Sequence, residues 1–247
     1  MFNATKHESK ITKGLCSFVI FVPLCETKIY LYSKITNLSL AEVYQQFIDG
    51  ILQTTSLEFV AVILGIVSVW LSKIENIWVY PTGLVNTIIY VYLSIKSHLL
   101  GEASVNVYFT VLSIYGWILW AKKDNKNNKV YTIKHSTYRE WMNQLLFFVT
   151  MFVILYLLLG YLKAKNIAPG TLPLADAFAS ASSYTGMLLM ARKKVESWIW
   201  WIITNITAIP LYFVKGYVFT SFQYVVFLII AVMGLIEWHK KAKYARD

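Results

Sequence analysis

ESWIWWIITNITAIPLY, residues 196–212, is the stretch whose reading decides the fold. It is almost wholly apolar, and as a helix it puts Trp198, Trp201, Asn205 and Tyr212 on one face, at spacings of three, four and seven. The other faces are aliphatic, as a surface against lipid or another helix must be. An amide at mid-membrane depth is costly unless it meets a partner or lines a wet cavity. Between broad aromatic faces, Asn205 reads as half of a pocket for a flat, polar organic solute.

The whole chain agrees with that reading. Of 247 residues, 15% are charged and 57% apolar, with a mean hydropathy of +0.53. Soluble domains carry about 25% charge. Seven apolar runs stand at 57–71, 77–95, 100–120, 144–162, 172–190, 198–214 and 219–238, near the length a membrane helix needs. The fold class is therefore an all-α polytopic membrane protein. Upstream, 15–25 is too short to span alone. It reads equally as a signal-like core without a cleavage pattern, or as half of an extra span continuing to 32. Residues 38–52 have helical amphipathic spacing and suit an interfacial helix or one that caps the bundle.

The net charge of +10 does not point to nucleic acid, because the basic residues lie in loops and tails. With the C-terminus inside, internal loops hold 14 Lys and Arg and external loops 4, with 5 before the first strong run. This bias places the C-terminus in the cytoplasm, and the expected location is the inner, cytoplasmic membrane. Two cysteines and four scattered histidines give neither a disulfide framework nor metal-ligand spacing. No phosphate loop, HExxH helix or GxSxG elbow appears, so no cofactor, ATP drive or hydrolysis is implied. No Lys, Arg or His lies mid-span, which argues against a proton relay.

The chain also resembles itself. At an offset of 121, Gly65, Lys73 and Glu75 match Gly186, Lys194 and Glu196; at 118, Gly116, Trp120, Lys122 and Lys123 match Gly234, Trp238, Lys240 and Lys241. The three-residue difference is expected in the turn between the second and third helix of each half. The expected domains are an extension at 1–54, a three-helix repeat at 55–123 and a basic loop at 124–143. A linker helix at 144–165, a second repeat at 166–240 and a tail at 241–247 follow. An odd linker gives parallel repeats, a transporter arrangement with substrate between the halves.

Other helices carry polar stripes: Asn106, Thr110, Ser113 and Trp117; Asp176, Ser180, Ser183 and Met187; Gly83, Asn86 and Tyr90; and Gln223 with Tyr224 near the last helix start. Any single Ser or Thr among them suits interhelical glue. Trp70, Trp120, Trp141 and Trp238 suit the interfacial belt. A pocket of Trp, Tyr, Asn, Gln and one Asp fits a hydroxyl-bearing aromatic ring and tolerates a positive one. It offers no charge to hold a phosphate.

Residues 191–201 with their ARKKVESWIWW run, the following N-x-x-x-IPLYFVKGY, the closing GLIEWHKK, PTG at 81–83 and YGWILW at 115–120 resemble the PnuC-type vitamin transporters, specifically those for nicotinamide riboside. The resemblance covers about residues 55–243. It implies a SWEET-like 3+1+3 bundle and facilitated diffusion of nicotinamide riboside, with no ion or ATP coupling, followed by cytoplasmic phosphorylation that traps the product. It implies substrate-binding roles for Trp198, Trp201, Asn205 and Tyr212, for Asp176 and Ser183, and for Gln223 and Tyr224; Asn86, Asn106 and Trp117 join from the polar stripes. Met187 stands where a Gln is expected. Sister proteins for thiamine or riboflavin share the scaffold, and a non-transporting receptor or scaffold is the alternative from another class. Whether the bundle stands alone or as a homo-oligomer is left open by the sequence.

Overall fold

The computed structural model describes residues 39–96, 100–123 and 130–244; the extra span considered at 15–32 lies outside them. Two compact units divide the chain, Met1–Gln45 and Gln46–Asp247. Eight helices are described: α1 Leu40–Gln53, α2 Ser56–Lys73, α3 Val79–Lys96, α4 Leu100–Ala121, α5 Tyr138–Ala164, α6 Pro173–Ala191, α7 Ser197–Val214 and α8 Val218–Tyr244. In the first unit, Ser39 and Glu42 open α1 with a reciprocal cap. In the second, Phe47 packs on Phe219 and Phe222, with ring centroids 5.9 and 5.6 Å away.

The helices outrun the apolar segments. α5 begins at Tyr138, not at 144, because Thr137 and Glu140 form a capping box that satisfies two orphan amides before the apolar run starts. α8 runs on past Trp238 to Tyr244, its last turns basic. Five helices, α2, α4, α5, α7 and α8, are long and apolar enough to cross a membrane. α3 and α6 match them in length but carry more polar side chains. α6 buries 11 of its 19 residues, so its Ser, Thr and Ala face protein and need no lipid-soluble surface. α5 buries only Gln144, and apolar side chains such as Val153, Leu157 and Leu158 stand open on it. Such a surface suits acyl chains and not water.

Within each triplet, neighbouring helices pack in sequence: α2 on α3 on α4, and α6 on α7 on α8. The triplets meet where α8 packs on α2 and α4 on α6. The first helix of each half thus touches the third helix of the other, as a pseudo-two-fold requires.

The backbone corrects the register of the repeat: a single offset of 118 runs through both halves. The C-caps Ile74 and Arg192 share one conformation, and the following residues, Glu75 and Lys193, both take positive φ, 63° and 53°. Asn76 and Lys194 then donate to Leu71 and Leu189. The identities at an offset of 121 are therefore not equivalent positions. Glu75 corresponds to Lys193, and the two join in an ion pair of 2.7 Å. Lys193 is 1% exposed, and its Nζ lies 4.5 Å from the Trp120 ring centroid.

Around this pair the halves repeat one packing unit. Tyr80 meets Trp120 edge-on at 5.2 Å, and Trp198 meets Trp238 edge-on at 5.6 Å. Each ring lies over a glycine: a Cβ on Gly116 would stand 2.5 Å from the Tyr80 hydroxyl, and one on Gly234 2.6 Å from the Trp198 ring. Trp120 and Trp238 approach each other to 6.0 Å. Trp120 Nε1 donates to Ala191 O, and Trp238 Nε1 to Ser72 O and Lys73 O. Both tryptophans were expected in an interfacial belt; they are core residues, because each indole N–H closes carbonyls freed at the end of a helix in the opposite half.

Part of the basic loop also docks here. Lys134 N donates to Lys193 O and Val195 N to Lys134 O, both at 3.1 Å, and Ile133 is buried in the core. Glu196 accepts from Ser136 N and Oγ, at 2.9 and 2.7 Å, and faces His135 Nδ1 at 3.1 Å. Burial disfavours the Glu196 carboxylate, but the Ser136 and His135 hydrogen bonds outweigh it and hold its pKa below the ordinary value.

Gly234→Ala should destabilise the bundle by about 1–3 kcal/mol, the usual cost of overpacking, read as a lower thermal midpoint in detergent. Because Glu196 has a depressed folded pKa, its contribution is present above the unfolded carboxylate pKa and is lost as pH falls through the folded one. The protection factors of the Lys134 and Val195 amides, which divide out the intrinsic slowing of exchange in acid, should therefore fall on acidification, and Glu196→Gln should remove that pH dependence.

Candidate substrate site

Above the tryptophan core, the two halves present aromatic rings from α4, α6, α7 and α8. Tyr108 of α4 packs against Tyr184 of α6 with ring centroids 4.2 Å apart and planes tilted by 32°, and its hydroxyl donates to Tyr184 O at 3.1 Å. Phe109 meets Tyr184 edge-on at 6.2 Å and Trp201 at 6.0 Å. Trp201 reaches this position because residue 186 is glycine: a Cβ there would stand 3.3 Å from the indole.

One turn along α7 from Trp201, Asn205 is 2% exposed. Among the described residues its amide finds no hydrogen-bond partner, although four donor and acceptor positions are available to it. Such a group in a helix interior is unfavourable by itself and favourable once a polar ligand or water reaches it. Trp201, Asn205 and Tyr212 keep the shared face that their spacing predicts.

Tyr212 stacks on Tyr224 of α8 at 5.1 Å and 13°, and Tyr224 meets Phe227 edge-on at 5.9 Å. Asp176 accepts from Lys215 at 2.6 Å and from Leu172 N at 2.7 Å. It thus starts α6 and ties down the cation that follows α7. Lys215 Nζ stands 5.8 Å from the Tyr212 ring centroid. Gln223 is half-buried beside Tyr224.

The remaining expected residues lie elsewhere or are already engaged. Trp198 is 1% exposed in the Trp238 cluster, and its Nε1 has no partner. Trp117 is 40% exposed on the outer face of α4. Asn86 Nδ2 donates to Ala61 O at 2.6 Å, beside Gly65. Asn106 Nδ2 donates to Glu102 O at 2.9 Å, and Ser183 Oγ to Ser180 O at 2.9 Å. These last three are local or interhelical glue in this arrangement.

Sequence reasoning missed Tyr108, Phe109, Tyr184, Phe227 and Lys215. Tyr108 and Phe109 fall between Asn106 and Thr110, and Tyr184 follows Ser183. The signal was an aromatic next to each polar stripe, which becomes meaningful only once α4 is known to face α6.

The profile of the family described as "Nicotinamide mononucleotide transporter" matches residues 55–240. The nicotinamide riboside transporter PnuC of Escherichia coli (strain K12) is 24% identical over 206 residues, covering 76% of this chain and 86% of that one. The riboflavin/roseoflavin transporter RibM of Streptomyces davaonensis is 23% identical over 188 residues, covering 75% and 85%. The crystal structure of the vitamin B3 transporter PnuC superposes with a TM-score of 0.62 at 24% identity, over 82% of this chain and 88% of that one, so the two share a fold. With three quarters of its length matched by the profile, the chain belongs to the nicotinamide mononucleotide transporter family, whose members are membrane transporters and not enzymes.

Proposed function

We propose that this chain carries nicotinamide riboside across the inner membrane by facilitated diffusion, with its C-terminus in the cytoplasm. Phosphorylation of the arriving riboside traps it there. The observation that carries the reading is Asn205: a buried amide to which the described residues supply no hydrogen-bond partner, one helical turn from Trp201. Nicotinamide riboside presents a cationic pyridinium, a carboxamide and a ribose. The pyridinium suits the electron-rich faces of Trp201, Tyr212 or Tyr224 through cation–π contact. The carboxamide or the ribose hydroxyls suit Asn205 and Gln223.

The charge at the site favours the riboside over its mononucleotide. Lys215, whose Nζ lies 5.8 Å from the Tyr212 ring centroid, is already held by Asp176, so a phosphate there would have no unpaired counter-charge from it. The PnuC relatives, which are nicotinamide riboside transporters, point to the same substrate. Riboflavin is the second reading, since RibM lies at nearly the same distance; thiamine completes the comparison.

By calorimetry on purified protein, Trp201→Ala or Asn205→Ala should weaken nicotinamide riboside binding at least tenfold, about 1.4 kcal/mol, without unfolding the bundle. Nicotinamide mononucleotide should bind far more weakly than the riboside to the unaltered chain. Gly186→Ala should also lower riboside affinity, because the new methyl must displace the Trp201 indole by a few tenths of an ångström. Unchanged affinity in both alanine variants rejects the site, and tighter binding of riboflavin or thiamine reassigns the substrate. Protein in liposomes that binds the riboside but takes none up would be a receptor.

A further inference from the structure

Away from the aromatic site, a shallow cleft opens between α5 and α6, next to the docked part of the basic loop. Its floor is apolar: Phe147, Leu188 and Leu189. Its rim is polar and basic: Asn143, Arg192 and Lys194, with the Glu140 carboxylate among them. Lys194 spends its charge on Glu140 at 2.7 Å. Arg192 is exposed and forms no ion pair among the described residues, which leaves the rim one positive charge in excess. Lys134 and Arg139, both exposed, raise the local potential further.

Two buried polar side chains build the inner wall. Gln144, 5% exposed, donates to Ser136 Oγ at 2.7 Å and accepts from Trp200 Nε1 at 3.3 Å. Thr185, 1% exposed, donates to Ala181 O at 2.8 Å. Both are satisfied by protein, so the wall is rigid and the cleft does not depend on a ligand to exist. The outer flank of the cleft is the lipid-facing stripe of α5: Met142, Leu146 and Val149 are about half-exposed or more. They lie at helical spacing next to Asn143 and Phe147.

We propose that this cleft seats the headgroup of an anionic phospholipid. Its phosphodiester lies at Arg192 and Asn143, and its acyl chains run down the Phe147 side of α5. A soluble phosphate shares the charge but has no use for an apolar floor that continues into the lipid-facing stripe. A zwitterionic lipid shares the chains but gains nothing from the excess positive charge. Basic pockets between membrane helices favour anionic headgroups on these terms. Arginine suits the role because its planar fork can grip two phosphate oxygens at once.

The test uses the full chain, purified and examined by native mass spectrometry with phosphatidylglycerol, phosphatidylcholine or inorganic phosphate added. One phosphatidylglycerol should be retained in preference to phosphatidylcholine, and millimolar inorganic phosphate should not displace it. Arg192→Gln should weaken that retention about fivefold, whereas Arg192→Lys should keep most of it. Binding of nicotinamide riboside should stay unchanged in both variants, which also reports that they are folded. Equal retention of the two lipids overturns the proposal, as does an unchanged preference in Arg192→Gln. Displacement by inorganic phosphate overturns it too, and assigns a soluble anion instead.

Discussion

The bundle is closed at one end by an ion pair between two copies of the same position. Glu75 and Lys193 each follow the first helix of a half, each with the left-handed backbone that ends many helices, where glycine is the usual residue. One copy carries a carboxylate and the other an ammonium, so the pseudo-two-fold that would set like against like here instead produces attraction at 2.7 Å. Breaking such a buried pair by removing one partner costs about 3–5 kcal/mol. Lys241 stands 3.6 Å from the same glutamate and the Trp120 face backs the lysine, so the pair is held in place by its surroundings.

Everything near this pair is arranged by the duplication. The Tyr80–Gly116–Trp120 and Trp198–Gly234–Trp238 units pack each half onto itself, and the two indole N–H groups then reach across to the opposite half. Because the unit recurs, Tyr80 Oη and Trp198 Nε1 recur as buried polar atoms without partners. Their equivalence explains why both occur: each belongs to a ring that has to lie flat over a glycine, and that geometry leaves the polar edge facing apolar neighbours. The docked loop finishes the seal through Glu196, whose position in the other half is taken by Trp78, an exposed residue. Here the halves have diverged: Glu196 holds the docked loop, whereas Trp78 stands exposed.

This sealed end defines the candidate site by contrast. Past it, Phe109, Tyr184 and Trp201 form one set of ring contacts and Tyr212 and Tyr224 another, and the buried Asn205 amide finds no hydrogen-bond partner among the described residues. The other end is tied by Asp176 and Lys215. A carrier for a flat cationic solute needs this division: a rigid joint between halves, aromatic faces to replace water around the ring, and an amide with capacity to spare.

Much of the architecture was legible in the sequence because hydropathy, helical spacing and charge placement are local properties. The length and spacing of the apolar runs dictated a helical membrane bundle of three, one and three. The stripe of Trp201, Asn205 and Tyr212 dictated a polar aromatic face. What no local pattern could decide was which equal-looking residues would meet. Trp117, Trp120, Trp198 and Trp201 differ little in the chain, yet one faces outward, two lie in the core and one lines the aromatic centre. The register of the repeat was likewise ambiguous by three residues until helix caps and positive φ angles fixed it. Burial, and the partner across a pseudo-two-fold, are properties of packing between segments more than 100 residues apart, so only the tertiary structure could assign them.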